Sequence, residues 1–475
     1  AAWAARHPHA RVARSSRWAG FPDGQGTFTL APDSTEFASV TAAYIREYER
    51  EYGRQAHYLA DTFNEMRMPF TGEARDAQLR RFGAAIHRAI DAASPGATWV
   101  MQGWMFHDDR QFWDAAAVRA LLADVPDGRM LVLDLANEFF HGWREHGDFH
   151  GKRWAYSLVP NFGGNNALHG DLGFYAHDAA DMLAAHDRPP AAFGLAPEGI
   201  ECNEAVFELI ADAAWTRGRI DNADWLRRYV RARYGPAGEG LEGAWIELAG
   251  GVLDRTLMNC RHAFQLRPST SIGGDAPPVP GLRDVLLRFR SHAEALAGND
   301  LYACDLIDVT TAWAGRRIDA LLGQAMQAHR AGDSLGRDAA AAQALEAMDL
   351  LDALLHSRPA LRLEGWIAAA RATAGDAAGA DQRERNARLQ VTVWGGPDLH
   401  DYAAKLWSGL VRDFYRRRWS IWFEALREGV DDTAAQSQLV AFEQYWALQL
   451  APLSAPAESS TAAAVDRLLA ALPAG

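Results

Sequence analysis

Between residues 55 and 217 the chain alternates short apolar runs with amphipathic stretches, and no other feature restricts the fold as much. A strand, a helix and a second strand in succession return the chain to the same end of a sheet, so repeated units predict parallel strands. Strands are predicted over His57–Asn64, Thr98–Trp104, Met130–Ala136, Trp154–Val159 and Ala191–Ala196. Helices are predicted over Asp76–Ala93, Asp109–Ala123, Asn165–His186 and Asn203–Arg217, and a Gly- and His-rich loop, Phe139–Lys152, replaces one of them. Pro160 and Pro197 stand at strand ends, where a missing N–H does least damage.

A closed barrel of this kind has eight strands, and this rhythm supplies five. Residues 1–35 read as loop with one short element at most. The predicted fold is therefore α/β plus all-α: the C-terminal portion of a (β/α)8 barrel over 1–217, then a helical domain over 218–475. In the second part apolar residues recur at three- and four-residue intervals, with few strand signals. Helical patterns run over Asp221–Tyr234, Leu282–Ala297, Asp300–Ala331, Ala339–Leu355, Leu361–Thr373, Leu399–Glu428, Gln436–Leu448 and Ala462–Leu472. Residues Gly273–Pro278 and Gly395-Gly396-Pro397 mark breaks between them.

Charge and cysteine usage narrow the function. A net charge of −13 argues against a nucleic-acid partner, which wants a basic face. The positive charge is almost all Arg, Lys152 and Lys405 being the two lysines. Cys202, Cys260 and Cys304 form neither a disulfide framework nor a zinc pattern. No apolar run is long enough for a transmembrane helix. Residues 1–17 hold Arg and His and no apolar stretch, so they do not read as an export signal. Oligomeric state and compartment stay open.

Two carboxylates stand just past apolar runs. Glu65 follows Tyr58-Leu59-Ala60 within Asp61-Thr62-Phe63-Asn64-Glu65-Met66, and Glu198 follows Ala192–Leu195 within Ala196-Pro197-Glu198-Gly199. In a parallel barrel the C-terminal strand ends carry the chemistry. Two carboxylates delivered there suit glycosidic bond cleavage, which needs a proton donor and a nucleophile or base. Asn64 offers an amide to a sugar hydroxyl or acetamido group. If strand parity holds to the end, Asp61, Phe63 and Glu65 share a face, and the Asp61 carboxylate helps keep Glu65 protonated. Glu198 shares its face with Ala196 and Gly194, whose small side chains leave room for a ligand. Gln102 shares parity with Trp104, and Asn161 closes another strand; each is placed to bond a sugar hydroxyl.

Other residues invite the same reading and support it less well. Glu138 repeats the Asn-Glu pair after a strand and is the rival acid. Asn203-Glu204 reads as a helix cap. His141, His146 and His150, with Glu145 and Asp148, do not share one helical face, so no metal is expected. Gly238-Glu239-Gly240-Leu241-Glu242-Gly243 matches a dinucleotide fingerprint in form only, because it follows a helix and its glutamates repel a pyrophosphate.

The segments Asp61–Met66 and Ala196–Gly199 resemble the acid/base and nucleophile signatures of the α-N-acetylglucosaminidases, glycoside hydrolase family 89. The resemblance continues in order through Gln102-Gly103-Trp104, Gln111-Phe112-Trp113, Leu131–Leu135, Asn161-Phe162-Gly163-Gly164-Asn165, Trp394-Gly395 and Asp401-Tyr402-Ala403-Ala404-Lys405. It implies exo-acting removal of terminal α-linked N-acetylglucosamine with retention and without cofactor or metal. Glu65 is then acid/base and Glu198 nucleophile, and Trp18, Trp104, Trp394 and Tyr402 line a pocket for one terminal sugar. The resemblance also implies a chain that starts partway into the barrel, without the family's small N-terminal domain, with activity impaired accordingly. An export signal lying upstream would make the protein secreted or periplasmic. Three other readings stay open: a different retaining hexosaminidase, a non-catalytic sugar-binding protein, and an interaction module built on the helical half. Adjacent paired acids, which substrate-assisted hexosaminidases use, are absent at Glu198-Gly199.

Overall fold

The five apolar runs form one parallel sheet in the computed structural model, which describes residues 2–16, 18–21, 26–61, 63–70, 74–185, 188–200, 203–271, 273–394 and 399–472. The chain divides into two compact units. The first takes Ala1–Pro160 and Leu183–Pro197; the second takes Asn161–Met182, Glu198–Gly395 and Leu399–Gly475.

The first unit begins with α1 (Ala2–Arg6) and an antiparallel ribbon, β1 (Val12–Arg14) with β2 (Phe28–Leu30). This corrects the loop expected over 1–35. Next comes α2 (Thr35–Tyr52), where the Ser34 hydroxyl accepts from the Phe37 N–H and caps the first turn. The sheet strands are β3 (His57–Leu59), β4 (Thr98–Gln102), β5 (Met130–Asp134), β6 (Arg153–Leu158) and, after β7 (Gly170–Asp171) of the second unit, β8 (Ala192–Leu195). Their order β3-β4-β5-β6-β8 follows the chain and every pairing is parallel. A doubly wound sheet reverses its order partway, whereas a barrel never does, so this is barrel winding. Crossovers are α3 (Arg75–Ala93), then α4 (Met105–Asp108) with α5 (Ala115–Leu122), then the short α6 (Gly142–Glu145). Trp99, Phe63 and Phe82 fill this core.

Strands end sooner than their apolar runs. β3 stops at Leu59 because Asp61 turns to accept the Gln102 N–H at 2.8 Å, which breaks the ladder. Asp61, Phe63 and Glu65 therefore do not share a strand face, and Glu65 sits in a turn with φ +50°. Gly194 leaves no room for a ligand either, since a Cβ there would lie 2.3 Å from Ser157 Oγ of the neighbouring strand. The helix expected over Asp109–Ala123 is shortened by Asp114, whose side chain caps α5 by accepting from the Ala117 N–H.

The second unit holds β7, paired antiparallel with β9 (Asp254–Arg255), and a helical array. Its elements run α7 (Leu172–Ala184, shared at its end with the first unit), α8 (Glu204–Trp215), α9 (Asn222–Tyr234), α10 (Leu241–Ala249), α11 (Leu282–Ser291) and α12 (Asp300–Arg330). They continue α13 (Ser334–His356), α14 (Leu363–Ala372), α15 (Ala377–Gln390), α16 (Arg416–Glu428), α17 (Asp432–Leu448) and α18 (Thr461–Ala471). The helix predicted over Asn165–His186 starts at Leu172, because Asn165 and Asn166 bond loop backbone at Tyr402, Ala404 and Leu406; His186 lies outside the described residues. Within Leu399–Glu428 continuous helix is confined to the C-terminal part, where a π turn over Val411–Tyr415 leads into α16. Asn203 is not a side-chain cap: it has φ +56° and its Oδ1 accepts from the His169 N–H. The Gly395-Gly396-Pro397 break and Cys202 lie outside the described residues, while Cys260 and Cys304 are free thiols. Among the described residues no helix is long and apolar enough to cross a membrane, and no three His, Cys, Asp or Glu side chains come together as a metal site.

Candidate active site

In the first unit the chemistry gathers past β3 and β4. The Trp18 Nε1–H donates to Glu65 Oε2 at 2.7 Å, and the Trp104 Nε1–H donates to Oε1 at 2.8 Å. Each oxygen thus has an indole donor, and two rigid rings fix the carboxylate. Glu65 holds a left-handed backbone with φ +50°, which costs a non-glycine residue about 1–2 kcal/mol. Trp104 is aimed by Gly103, whose N–H donates to Leu133 O at 2.7 Å and whose missing side chain lets the turn lie against β5. Burial raises the Asp61 pKa against the hydrogen bonds from Gln102, so Asp61 and Gln102 tie β3 to β4 beside Glu65. Asn64 lies next to Glu65, with Oδ1 shut off from solvent and without a partner among the described residues.

Glu138, the rival acid, is placed differently. Its Oε1 accepts the Val159 N–H at 2.7 Å just past β6, and it is buried. Asn137 Nδ2 bonds Asp134 O and Ser157 O, so this Asn-Glu pair clamps the ends of β5 and β6. His146 of the Gly- and His-rich loop packs against Phe106 and Phe149, and burial pushes its pKa down to about 4.

In the second unit Glu198 is exposed, and its Oε2 takes two donors: the Gly163 N–H at 2.6 Å and the Tyr402 hydroxyl at 2.7 Å. Oε1 has no partner among the described residues. The Glu198 N–H donates to Asn161 O, and Asn161 Nδ2 donates to Asn165 O, so Asn161 braces the turn under Glu198. Trp394 lies beside Tyr402, with ring centroids 6.0 Å apart. Asp401 holds the turn before Tyr402 through a buried ion pair with Arg418 at 2.7 Å and a bond from the Arg267 N–H.

Gly163, Gly164 and Lys405 stand in the motifs Asn161–Asn165 and Asp401–Lys405, but nothing in the sequence assigns any of them a role. Gly163 has φ +66°, and a Cβ there would lie 2.1 Å from Tyr402 O. Gly164 has φ +61°, and its Cβ would meet Lys405 Nζ at 2.4 Å; Lys405 Nζ itself donates to Gly164 O. The adjacent glycines in Asn161–Asn165 were the available clue, since a Gly pair in a strand-end loop marks close backbone approach.

A parallel sheet wound in chain order, with carboxylates past its C-terminal strand ends, places the chain among proteins of the (β/α)8-barrel type. Two family profiles then account for almost all of it: the α-N-acetylglucosaminidase (NAGLU) TIM-barrel domain over residues 1–217, and the α-N-acetylglucosaminidase (NAGLU) C-terminal domain over 225–471. The chain belongs to the α-N-acetylglucosaminidase family, glycoside hydrolase family 89. It is 32% identical over 456 residues to the α-N-acetylglucosaminidase of Homo sapiens, covering 92% of this chain and 59% of that protein. In fold it is similar to a family 89 glycoside hydrolase from Clostridium perfringens in complex with PUGNAc, with TM-score 0.87, 20% identity, and coverage of 99% of this chain and 55% of that one. The same values of TM-score and identity relate it to a form of the Clostridium perfringens enzyme in which two glutamates are replaced by glutamine, in complex with its substrate GlcNAc-α-1,4-galactose; 98% of this chain and 55% of that one are covered. The chain thus spans between 55% and 59% of the length of these relatives.

Proposed function

We propose that this chain removes terminal α-linked N-acetylglucosamine from glycans as an exo-acting retaining hydrolase. The observation that carries the reading is the asymmetric hold on Glu198, whose Oε2 takes two donors while Oε1 is left for attack. Glu65 protonates the leaving oxygen as Glu198 Oε1 attacks the anomeric carbon, and the aglycone departs from a covalent glycosyl-enzyme. Glu65, now ionised, takes a proton from water, which displaces Glu198 and restores both carboxyl groups. Two carboxylates and one water balance the reaction, and no cofactor enters it. Orientation of Glu65 falls to Trp18 and Trp104, whose rings line the sugar pocket in this reading. Asn64, next to the acid in the chain, is the amide that meets a sugar hydroxyl or the acetamido group in this reading. Asp61 and Gln102 set the strand ends beside the acid, Asn161 sets the turn under the nucleophile, and Trp394 with Tyr402 supplies an aromatic wall. The division into a partial catalytic barrel over 1–217 and a helical domain over 218–475 is part of this proposal.

The test is hydrolysis of p-nitrophenyl α-N-acetylglucosaminide by the purified chain, with the first-formed anomer read by proton NMR. The α anomer is expected first, with no release from the α-glucoside. A β anomer first would remove the retaining mechanism. Sugar binding without release would return the chain to the sugar-binding class.

A further inference from the structure

In the helical unit a cavity of about 560 Å³ lies between the Pro-rich loop 273–281, the start of α11 and one face of α12. That volume suits a small ligand or a short segment of a longer one. Four arginines line it: Arg283 from α11, and Arg316, Arg317 and Arg330 from α12. Asp319 is the single acid in the wall, and it is engaged elsewhere, with Oδ1 accepting the Phe264 N–H and Oδ2 facing His262 Nδ1 at 3.1 Å. Asp275 of the loop is likewise engaged, by Arg261 at 2.7 Å. Among the described residues none of the four guanidinium groups has a carboxylate at ion-pair distance, in a chain whose net charge is −13. The Nε–H of Arg283 and that of Arg317 are shut off from solvent without an acceptor.

The wall is built in advance. The Arg316 Nε–H donates to Pro277 O at 2.7 Å, and Pro277, Pro278 and Pro280 fix the loop's backbone angles. A Cβ on Gly274 would lie 2.5 Å from the Ala263 N, so the loop rests directly on the backbone beneath it. On α12, Arg316, Ala320, Gly323 and Arg330 recur at helical spacing along one face, and four turns separate the outer two, about 21 Å. Between them the small side chains keep the floor low, and a Cβ on Gly323 would have no heavy atom within 4 Å. Like charges gathered in a partly dry groove repel, and planar guanidinium forks match the oxygens of carboxylate, sulfate or phosphate.

We propose that this cavity is a binding site for a multivalent oxyanion, a ligand carrying two or more sulfate, phosphate or carboxylate groups, and that it is separate from the chemistry assigned to Glu65 and Glu198. Two sources share that chemistry: free phosphate esters and sulfated sugars. The probes are therefore tripolyphosphate and a disulfated disaccharide, titrated by calorimetry into the whole chain at fixed ionic strength. Saturable one-to-one binding of at least one probe is expected, and the preferred probe names the source. Binding weakens at least tenfold in the double variant Arg283→Ala/Arg317→Ala. It weakens as much in Gly323→Glu, which sets a carboxylate in the groove at a position with open space around the added Cβ. Arg228→Ala, an exposed arginine on α9, leaves binding unchanged, and none of the variants alters release from the aryl glucosaminide. Absence of saturable binding for both probes, or equal weakening by Arg228→Ala, would overturn the proposal.

Discussion

Replacing Gly163 by alanine separates a backbone requirement from a steric one, and both can be sized. At φ +66° a non-glycine residue costs about 1–2 kcal/mol. The added Cβ would lie 2.1 Å from Tyr402 O, and relieving that overlap moves the loop at a further cost of about 1–3 kcal/mol. Gly429 is the matched control, with φ +68°, a helix C-cap position, and no heavy atom within 4 Å of an added Cβ. Gly429→Ala should therefore cost only the backbone part, about 1–2 kcal/mol, against about 2–5 for Gly163→Ala in urea unfolding. Function should separate the two further. The Gly163 N–H donates to Glu198 at 2.6 Å, and a hydrogen bond to a charged group contributes about 1.5–3 kcal/mol. Its loss in a transition-state role lowers turnover about 10- to 150-fold, while Gly429→Ala leaves turnover unchanged. Equal stability loss in the two variants, or full turnover in Gly163→Ala, would refute the placement of this loop under Glu198.

Two predictions concern pH. Burial holds the folded-state pKa of His146 at about 4, below its ordinary 6.5, so the unfolded chain binds its proton first as pH falls. Stability should drop between pH 6.5 and 4, by about 3 kcal/mol from this group, and His146→Phe should flatten that limb in urea titrations. Asp352 has the opposite sign: burial raises its pKa to about 6 despite bonds from the Gly409 and Arg412 N–H groups, so the folded state binds the proton first. Its contribution falls as pH rises from about 4 to 6 and is constant above, a difference of about 3 kcal/mol that Asp352→Asn should remove; an unchanged pH profile in that variant would count against the burial argument.

The sequence made the winding of the sheet legible, because five apolar runs separated by amphipathic stretches leave a parallel, chain-ordered sheet as the simple solution. It hid what happens at the strand ends. Period-two parity extended β3 to Glu65, but one side-chain acceptor, Asp61 on the Gln102 N–H, ends the strand earlier and turns the backbone. The helix α2 was hidden for another reason: Ile45 is its one buried side chain, and its apolar stripe of Val40, Tyr44, Tyr48 and Tyr52 is exposed. The two glutamates were readable because each follows a strand. Their donors were not, since a backbone N–H such as that of Gly163 leaves no mark in composition. The Trp18 contact spans 47 residues, and the Tyr402 contact spans 204. Glu138 is the converse case: it repeats the Asn-Glu pair of the preferred site, and its carboxylate accepts the Val159 N–H at the end of β6.

The central claim is that Glu65 and Glu198 have different jobs, and pre-steady-state kinetics of Glu65→Ala tests it most directly. Without its proton donor the variant should still form the glycosyl-enzyme from an activated aryl glucosaminide, and it should lose far more activity on a disaccharide with a poor leaving group. Lacking the base for the second step, it should release a burst of aryl alcohol and then turn over slowly, and azide should restore turnover by yielding the α-azide. Glu198→Ala should show no burst with either substrate, and Glu138→Gln should keep its chemistry. Equal loss on both substrates in Glu65→Ala with no burst, or a larger loss at Glu138 than at Glu65, would contradict the account.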